Sequence, residues 1–240
     1  MRRETQNVLL VLLGGALLKI SLNGSFSRYV KPGQLPWLIA AGVVMVVVAF
    51  VSIVRDIITA KRPATELDDA HDHPHKSHST WLLLLPVFAI FLIAPPALGA
   101  DSVNRAGNRT PPVLDSQDYG FGPLPAGEVI DQRLKDFFER AAWDKSGSLN
   151  ERKVRLTGFV VHKDNVTYIA RMTIGCCAAD AYPVRVEMQG EGLGKIPNDS
   201  WVQATVRYQV GTATKERAYI PKVNVHDITS TTEPAEPYEY

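Results

Sequence analysis

The chain has 240 residues, of which 45% are apolar and 21% are charged, and its 26 Lys and Arg residues against 25 Asp and Glu residues give a formal net charge of +1. A near-zero net charge with this apolar content argues against a disordered chain, and the lack of a basic excess argues against a nucleic-acid-binding protein. Two cysteines are too few for a disulfide-rich scaffold.

Three apolar segments predict an N-terminal membrane anchor of about three transmembrane helices, within residues 1–100. They occupy 8–22, 36–54 and 81–99. The last two contain no charged residue and would form roughly 28 Å of helix, close to the hydrocarbon thickness of a bilayer. The first is shorter and contains Lys19, whose ammonium can reach the interface. A buried core helix and a cleaved signal peptide are the weaker alternatives.

Basic residues that flank these segments predict the orientation of the anchor. One set comprises Arg2, Arg3, Arg55, Lys61, Arg62 and Lys76, and the smaller set on the other side comprises Arg28, Lys31, Arg105 and Arg109. Because basic residues accumulate on the cytoplasmic side, the larger set is expected there. The sequence therefore predicts a multi-pass protein of the cell membrane whose C-terminal domain is extracytoplasmic.

The loop between the second and third segments, 65–80, is rich in side chains that bind metals. It contains four of the six histidines and three interleaved aspartates: His71, His73, His75, His78, Asp68, Asp69 and Asp72. Imidazole and carboxylate bind zinc, nickel, copper or cobalt. The irregular spacing and Pro74 favour a tract that captures and releases ions over a rigid site. A solvated polar connection is the alternative.

The composition changes after the third segment. Residues 101–127 are rich in Gly, Pro, Asn, Asp and Ser and predict a linker. Residues 128–146 then carry apolar side chains at helical spacing, namely Ile130, Leu134, Phe137, Phe138 and Ala141. We expect one amphipathic helix, ended by Gly147, that packs on the domain it belongs to, 128–240. A membrane-surface helix is the alternative.

Five segments rich in Val, Ile, Thr and Tyr predict strands at 153–162, 166–174, 182–188, 201–210 and 218–225. Five short strands in about 75 residues fit a small barrel or sandwich, and we expect a mainly β, five-stranded OB-like barrel. Residues after 230 are expected to be extended. Residues 101–240 hold 17 basic and 19 acidic residues, which again gives no footprint for nucleic acid.

The only two cysteines, Cys176 and Cys177, are adjacent and follow the second predicted strand, with Asp180 three residues beyond. In an extended segment their side chains would point to opposite faces. A turn after Gly175 would instead bring both thiols toward Asp180. Two thiolates and a carboxylate are ligands for zinc or another divalent transition metal.

Other chemistries remain open for the cysteine pair. His162 or His226 would complete a metal site if the fold brought one of them close. A vicinal disulfide would be strained and reducible, and one cysteine would be a nucleophile if a base lay beside it. The pair would alternatively be two small residues of the core.

Four segments resemble the YcgQ-like family of bacterial permease accessory subunits, whose C-terminal half is a domain of unknown function. They are GFVV at 158–161, YIARMTIGCCAADAYPV at 168–184, WVQATV at 201–206 and the closing PYEY at 237–240. The histidine-rich loop also fits. The most specific part is the R-x-x-I-x-C-C-x-A-D-A pattern, which assigns Arg171, Cys176, Cys177, Asp180 and Ala181 as motif residues.

The resemblance implies a larger multi-span permease as partner and a link to metal homeostasis, often of zinc. The family has no established reaction, so we expect no enzymatic activity. The leading hypothesis is a membrane-anchored accessory subunit of a bacterial permease that handles Zn²⁺ or another divalent transition metal through the histidine-rich loop and the Cys-Cys-Ala-Ala-Asp site. The alternatives are an extracytoplasmic thiol-redox protein and a purely structural module that docks on the permease.

Overall fold

The computed structural model describes residues 3–60, 96–107 and 121–240. The chain divides into two compact units. Among the described residues, the first unit comprises 3–26, 32–60 and 96, and the second comprises 27–31, 97–107 and 121–240. The predicted histidine-rich loop, with His71, His73, His75 and His78, lies outside the described residues.

The first unit contains two helices, α1 (Arg3–Leu22) and α2 (Leu35–Ala60), which pack on each other. Gly14 and Gly42 lie at their contact, because a Cβ on Gly14 would come 2.9 Å from the carbonyl oxygen of Gly42. Small residues allow helices to approach closely in membranes. Much of the remaining surface of α2 is apolar and exposed, including Trp37 and Phe50.

The expected anchor of about three spans is wrong for the part of the chain that the structure describes. Within it, one helix, Pro32–Thr59, is long and apolar enough to cross a membrane. The apolar part of α1, Gln6–Leu22, is shorter, and about 25 Å of helix falls below the hydrocarbon thickness. The third predicted segment lies outside the described residues except for 96–99, which are not helical.

The second unit contains two helices and seven strands. The helices are α3 (Ala100–Arg105) and α4 (Leu134–Trp143). The strands are β1 (Val129–Asp131), β2 (Lys153–Lys163), β3 (Val166–Thr173), β4 (Tyr182–Gln189), β5 (Trp201–Tyr208), β6 (Lys222–Ser230) and β7 (Tyr238–Glu239). The start of the predicted linker is therefore helical, with Val103 of α3 fully buried.

The seven strands form one mixed sheet in the order β1-β2-β5-β6-β4-β3-β7, and β2 also pairs with β3. The pairs β1–β2, β3–β7 and β4–β6 are parallel, and the others are antiparallel. The expected five-stranded OB-like barrel is therefore wrong, since β1 and β7 extend the sheet beyond the five predicted strands. They come from segments that the sequence assigned to the helix and to the tail.

The five predicted strand segments are confirmed, with one shift in position. The last begins at Lys222 because Ala218 and Tyr219 adopt positive φ angles of 52° and 57° in the preceding turn. The amphipathic helix is confirmed in part, because 129–131 pair with β2 and only Leu134–Trp143 is helical.

The core of the second unit lies between α4 and the sheet. Leu134, Phe137 and Phe138 form the buried face of α4 and pack against apolar residues of β2, β4 and β5. A second cluster combines Val103 of α3 with Phe159, Met172, Ile174 and Tyr238. This cluster anchors the end of β3, from which the cysteine segment continues.

Candidate metal centre

The cysteine pair lies in a tight turn between β3 and β4. Ile174 is buried at the end of β3, and a short 3₁₀ turn, Ala178–Asp180, leads into β4. The carboxylate of Asp180 closes the turn, because Oδ1 accepts a hydrogen bond from the Gly175 amide at 2.9 Å and Oδ2 accepts one from the Cys176 amide at 2.8 Å. Of the two conformations that the sequence left open, the turn after Gly175 is therefore the one that forms.

The turn brings three potential metal ligands together. The two sulfur atoms and a carboxylate oxygen, from Cys176, Cys177 and Asp180, all lie within 4.8 Å of one another. Both cysteines are free thiols; Cys176 and Asp180 are exposed, and Cys177 is half-buried. The vicinal disulfide and the buried-core interpretations therefore do not describe this conformation.

Hydrogen bonds within the turn set its electrostatics. The thiol of Cys176 donates to Asp180, and this bond, together with the contact to Cys177, raises the pKa of Cys176 to about 11. The same thiol and the main-chain amides of the turn lower the pKa of Asp180. Because a metal ligates thiolate, binding an ion here would displace the thiol proton from Cys176.

The segment between α1 and α2 contacts the outer side of this turn through main-chain hydrogen bonds. The Lys31 amide donates to the Cys176 carbonyl at 3.1 Å, and the Ala178 amide donates to the Tyr29 carbonyl at 2.7 Å. Val30 and Cys177 form an antiparallel bridge between these bonds. The main chain of the turn is therefore held on both sides, by Asp180 and by residues 29–31.

The other predicted site residues lie elsewhere in the fold. Ala181 packs against the second core cluster, and Arg171 lies on β3, where it contacts Trp201. His162 bonds with Thr167 and the Ile196 carbonyl, and His226 lies on β6, so neither joins the group that the structure brings together.

The sequence did not indicate residues 29–31 as part of the turn's surroundings. Their contacts are made by main-chain atoms, which any side chain would allow, so residue types carry little signal for them.

Two family models match the chain. The DUF1980 N-terminal domain matches residues 5–109, and the DUF1980 C-terminal domain matches residues 140–240. No curated protein matches it.

Among solved structures, a chain from Leishmania major Friedlin assigned as an aspartyl-tRNA synthetase matches with 12% identity and a TM-score of 0.27. The match covers 53% of this chain and 24% of the other, so this chain spans about a quarter of that protein. A likeness at this level does not define the fold.

Proposed function

We propose that this chain, which belongs to the DUF1980 family, is a membrane-anchored accessory subunit of a bacterial permease. We propose further that it binds Zn²⁺ or another divalent transition metal at Cys176, Cys177 and Asp180. The family membership supports the resemblance to YcgQ-like proteins. The permease partner is what that resemblance implies and is part of the proposal. The observation that carries the metal proposal is the grouping of two sulfur atoms and one oxygen atom within 4.8 Å.

The spacing of these atoms suits one tetrahedral ion after a small adjustment. Sulfur ligands at about 2.3 Å from zinc lie about 3.8 Å apart in a tetrahedron. The observed separations of up to 4.8 Å require a movement of about 1 Å, which rotation of the exposed Cys176 side chain can supply. Three protein ligands leave one coordination position open, as in sites that exchange a ligand.

Exposure of the turn favours transfer of the ion over a structural role. Cys176 and Asp180 lie at the surface, so a partner can reach the open coordination position. A structural zinc site is closed by four protein ligands, and the described residues offer three here. We therefore propose that the turn receives or delivers an ion, with the histidine-rich loop as a second binding segment.

The membrane location rests on α2, and the orientation rests on the charges around it. Residues 27–31, between α1 and α2, belong to the same compact unit as the C-terminal domain. This supports a common side of the membrane for the two, in agreement with the basic residues of the sequence. We propose that this side is extracytoplasmic and that the protein is multi-pass.

Thiol-redox catalysis is less well supported than metal binding. A nucleophilic cysteine needs a lowered thiol pKa, whereas the bond to Asp180 raises the pKa of Cys176 to about 11. A purely structural docking module remains the second candidate. The main-chain bonds between residues 29–31 and the turn favour it, because they give the turn a role in holding the α1–α2 segment.

Titration of the full-length protein in detergent with Co²⁺ tests the metal proposal, because thiolate ligation produces a strong ligand-to-metal charge-transfer band. We expect this band in the wild type and in a variant with His71, His73, His75 and His78 replaced by Asn. We expect no band in the double variant Cys176→Ser and Cys177→Ser.

Asp180→Asn tests the third ligand against a matched control. It should weaken Co²⁺ binding about tenfold or more, as expected for loss of a ligand or of a group that orients one. Asp227→Asn, an exposed aspartate on β6, should leave binding unchanged. A wild-type protein without the charge-transfer band would refute the metal site and leave the docking module as the better proposal.

A further inference from the structure

Arg171, the first residue of the sequence motif, lies apart from the metal ligands and is almost completely buried. Its side chain is 7% exposed. Nη2 donates to the Glu236 carbonyl at 2.8 Å, and the guanidinium lies 5.0 Å from the centre of the Trp201 ring. It makes no ion pair with any residue that the structure describes. A buried cation without an anionic partner is costly, so its environment calls for an anion.

Arg171 lines an open cleft of about 420 Å³, which we name the Arg171 cleft. Gln132 and Tyr240 line it as well. Three buried polar atoms of its lining residues have no hydrogen-bond partner among the residues that the structure describes, namely Arg171 Nε, Gln132 Oε1 and the Tyr240 hydroxyl. Buried polar groups are almost always bonded, so three unbonded groups around one cleft indicate a missing partner.

Two of the three acidic residues that line the cleft are engaged elsewhere. Asp131 pairs with Arg155 at 3.3 Å. The two carboxylate oxygens of Glu239 accept hydrogen bonds from the amides of Leu134 and Lys135 at 2.9 and 2.7 Å. Burial lowers the pKa of Arg171 although Glu239 acts in the opposite direction. The third acid, Glu236, is exposed and acts on Arg171 without forming an ion pair, so Arg171 has no direct carboxylate partner among the described residues.

The charged residues of the lining also limit the negative charge that a ligand can carry. Three arginines, Arg133, Arg155 and Arg171, are balanced by Asp131, Glu236 and Glu239. A polyanion such as a nucleic-acid backbone would meet three carboxylates and is disfavoured. A small ligand with a single oxyanion meets the guanidinium and avoids them.

We propose that the Arg171 cleft binds a small ligand through an oxyanion, either a carboxylate or a phosphate, on the guanidinium of Arg171. Guanidinium groups bind both oxyanions with two parallel hydrogen bonds. The Tyr240 hydroxyl and Gln132 Oε1, for which the described part of the chain offers no hydrogen-bond partner, would bond other polar atoms of the ligand. The cleft is thus a second site, separate from the cysteine turn.

Nuclear magnetic resonance of the arginine Nε–H groups tests this proposal on the full-length protein in lipid nanodiscs. Inorganic phosphate and acetate are added separately. We expect at least one of them to shift the Arg171 Nε–H resonance saturably. A response to phosphate alone assigns a phosphate ligand, and a response to acetate alone assigns a carboxylate. If neither phosphate nor acetate shifts the Arg171 Nε–H resonance saturably, the proposal is overturned.

Arg207 provides the matched control, because its Nε is also buried and has no hydrogen-bond partner among the described residues, but Arg207 does not line the cleft. Its resonance should not respond at the same anion concentrations, and equal shifts of both arginines would overturn the proposal. Arg171→Lys should weaken binding at least about tenfold, whereas Arg207→Lys should not.

Two further variants test the contribution of the Tyr240 hydroxyl and the independence of the cleft from the cysteine turn. Tyr240→Phe removes a hydroxyl that has no hydrogen-bond partner within the described ranges, so the variant should fold and should bind the anion about threefold or more weakly. If Tyr240→Phe and Arg171→Lys both bind the anion as the wild type does, the proposal is overturned. The double variant Cys176→Ser and Cys177→Ser should keep the anion response, which separates this site from the proposed metal centre.

Discussion

Asp180 is the residue whose side chain closes the cysteine turn. Its carboxylate accepts two main-chain hydrogen bonds and the Cys176 thiol proton, so it both forms the turn and offers a metal ligand. The sequence placed Asp180 near the thiols only on the condition that the chain turned after Gly175. Residue spacing could not decide this condition, because the deciding hydrogen bonds form only in the folded turn.

Arg171 shows that residues of one sequence motif can lie in different surroundings in the fold. Its five-residue distance from Cys176 grouped the two in one pattern, yet Arg171 is buried against Trp201 while Cys176 is exposed. The motif therefore combines a buried residue of β3 with the exposed turn that follows this strand.

Glu187 gives a prediction for the pH dependence of stability. It pairs with Lys222 at 3.0 Å and with Arg217, and its side chain is 10% exposed. Burial alone would raise its pKa, but the hydrogen bonds from Lys222 and Arg217 outweigh it and hold the pKa below its ordinary value. The carboxylate therefore stabilises the fold above about pH 4, and this contribution is lost as the pH falls through the lowered pKa.

Glu187→Gln should accordingly lower the free energy of unfolding by about 2 kcal/mol at neutral pH. The difference from the wild type should shrink toward about pH 3. Urea denaturation at several pH values measures it. Glu191→Gln, in the exposed turn after β4, is the control and should follow the wild type. A difference that stays constant with pH would contradict the account.

At the scale of elements, the C-terminal strand β7 caps a helix that is distant in sequence. The N-cap residue of α4, Arg133, provides no side-chain cap, and Glu239 supplies both acceptors from across the fold. Glu239→Ala should therefore lower the free energy of unfolding by about 1–2 kcal/mol in thermal or urea denaturation. Glu236→Ala, an exposed neighbour whose carbonyl is unchanged, should cost less than about 0.5 kcal/mol. Equal effects would argue against capping.

Gly158 permits the close approach of β2 and β3. A Cβ there would lie 2.6 Å from the Ala170 carbonyl oxygen and 2.8 Å from Cγ1 of Ile169. Gly158→Ala should cost about 1–3 kcal/mol of stability because the strands must separate. Gly194→Ala, where a Cβ meets nothing within 4 Å, is the control and should change stability by less than about 0.5 kcal/mol. A neutral Gly158→Ala would contradict the observed strand spacing.

The elements that the sequence predicted correctly are those with a repeating pattern. β2 to β5 carry enough β-branched and aromatic residues to be recognised, and the buried face of α4 follows helical spacing. β1 and β7 have three and two residues, too few for any period, and both pair in parallel with strands far along the chain. Their presence depends on tertiary contacts.

At the scale of the whole molecule, the order of segments along the chain differs from their grouping into compact units. The segment 27–31 lies between α1 and α2 but belongs to the compact unit of the C-terminal domain. The first two apolar runs correspond in position to α1 and α2, yet the apolar part of α1 is shorter than a membrane-spanning helix requires.

The proposed topology predicts which positions are accessible from outside the cell. In a variant lacking both native cysteines, Ser230→Cys, at the exposed end of β6, should react with a membrane-impermeant maleimide in intact cells. Thr59→Cys, at the far end of α2 from residues 27–31, should react only after permeabilisation. The reverse labelling pattern would place the C-terminal domain in the cytoplasm.

Zinc K-edge X-ray absorption of the full-length protein, loaded with one equivalent of Zn²⁺, tests the metal site most directly. The variant with His71, His73, His75 and His78 replaced by Asn removes competition from the histidine-rich loop. We predict about two sulfur neighbours at about 2.3 Å and oxygen or nitrogen neighbours at about 2.0–2.2 Å. A spectrum with oxygen and nitrogen neighbours alone would contradict a metal centre at Cys176, Cys177 and Asp180.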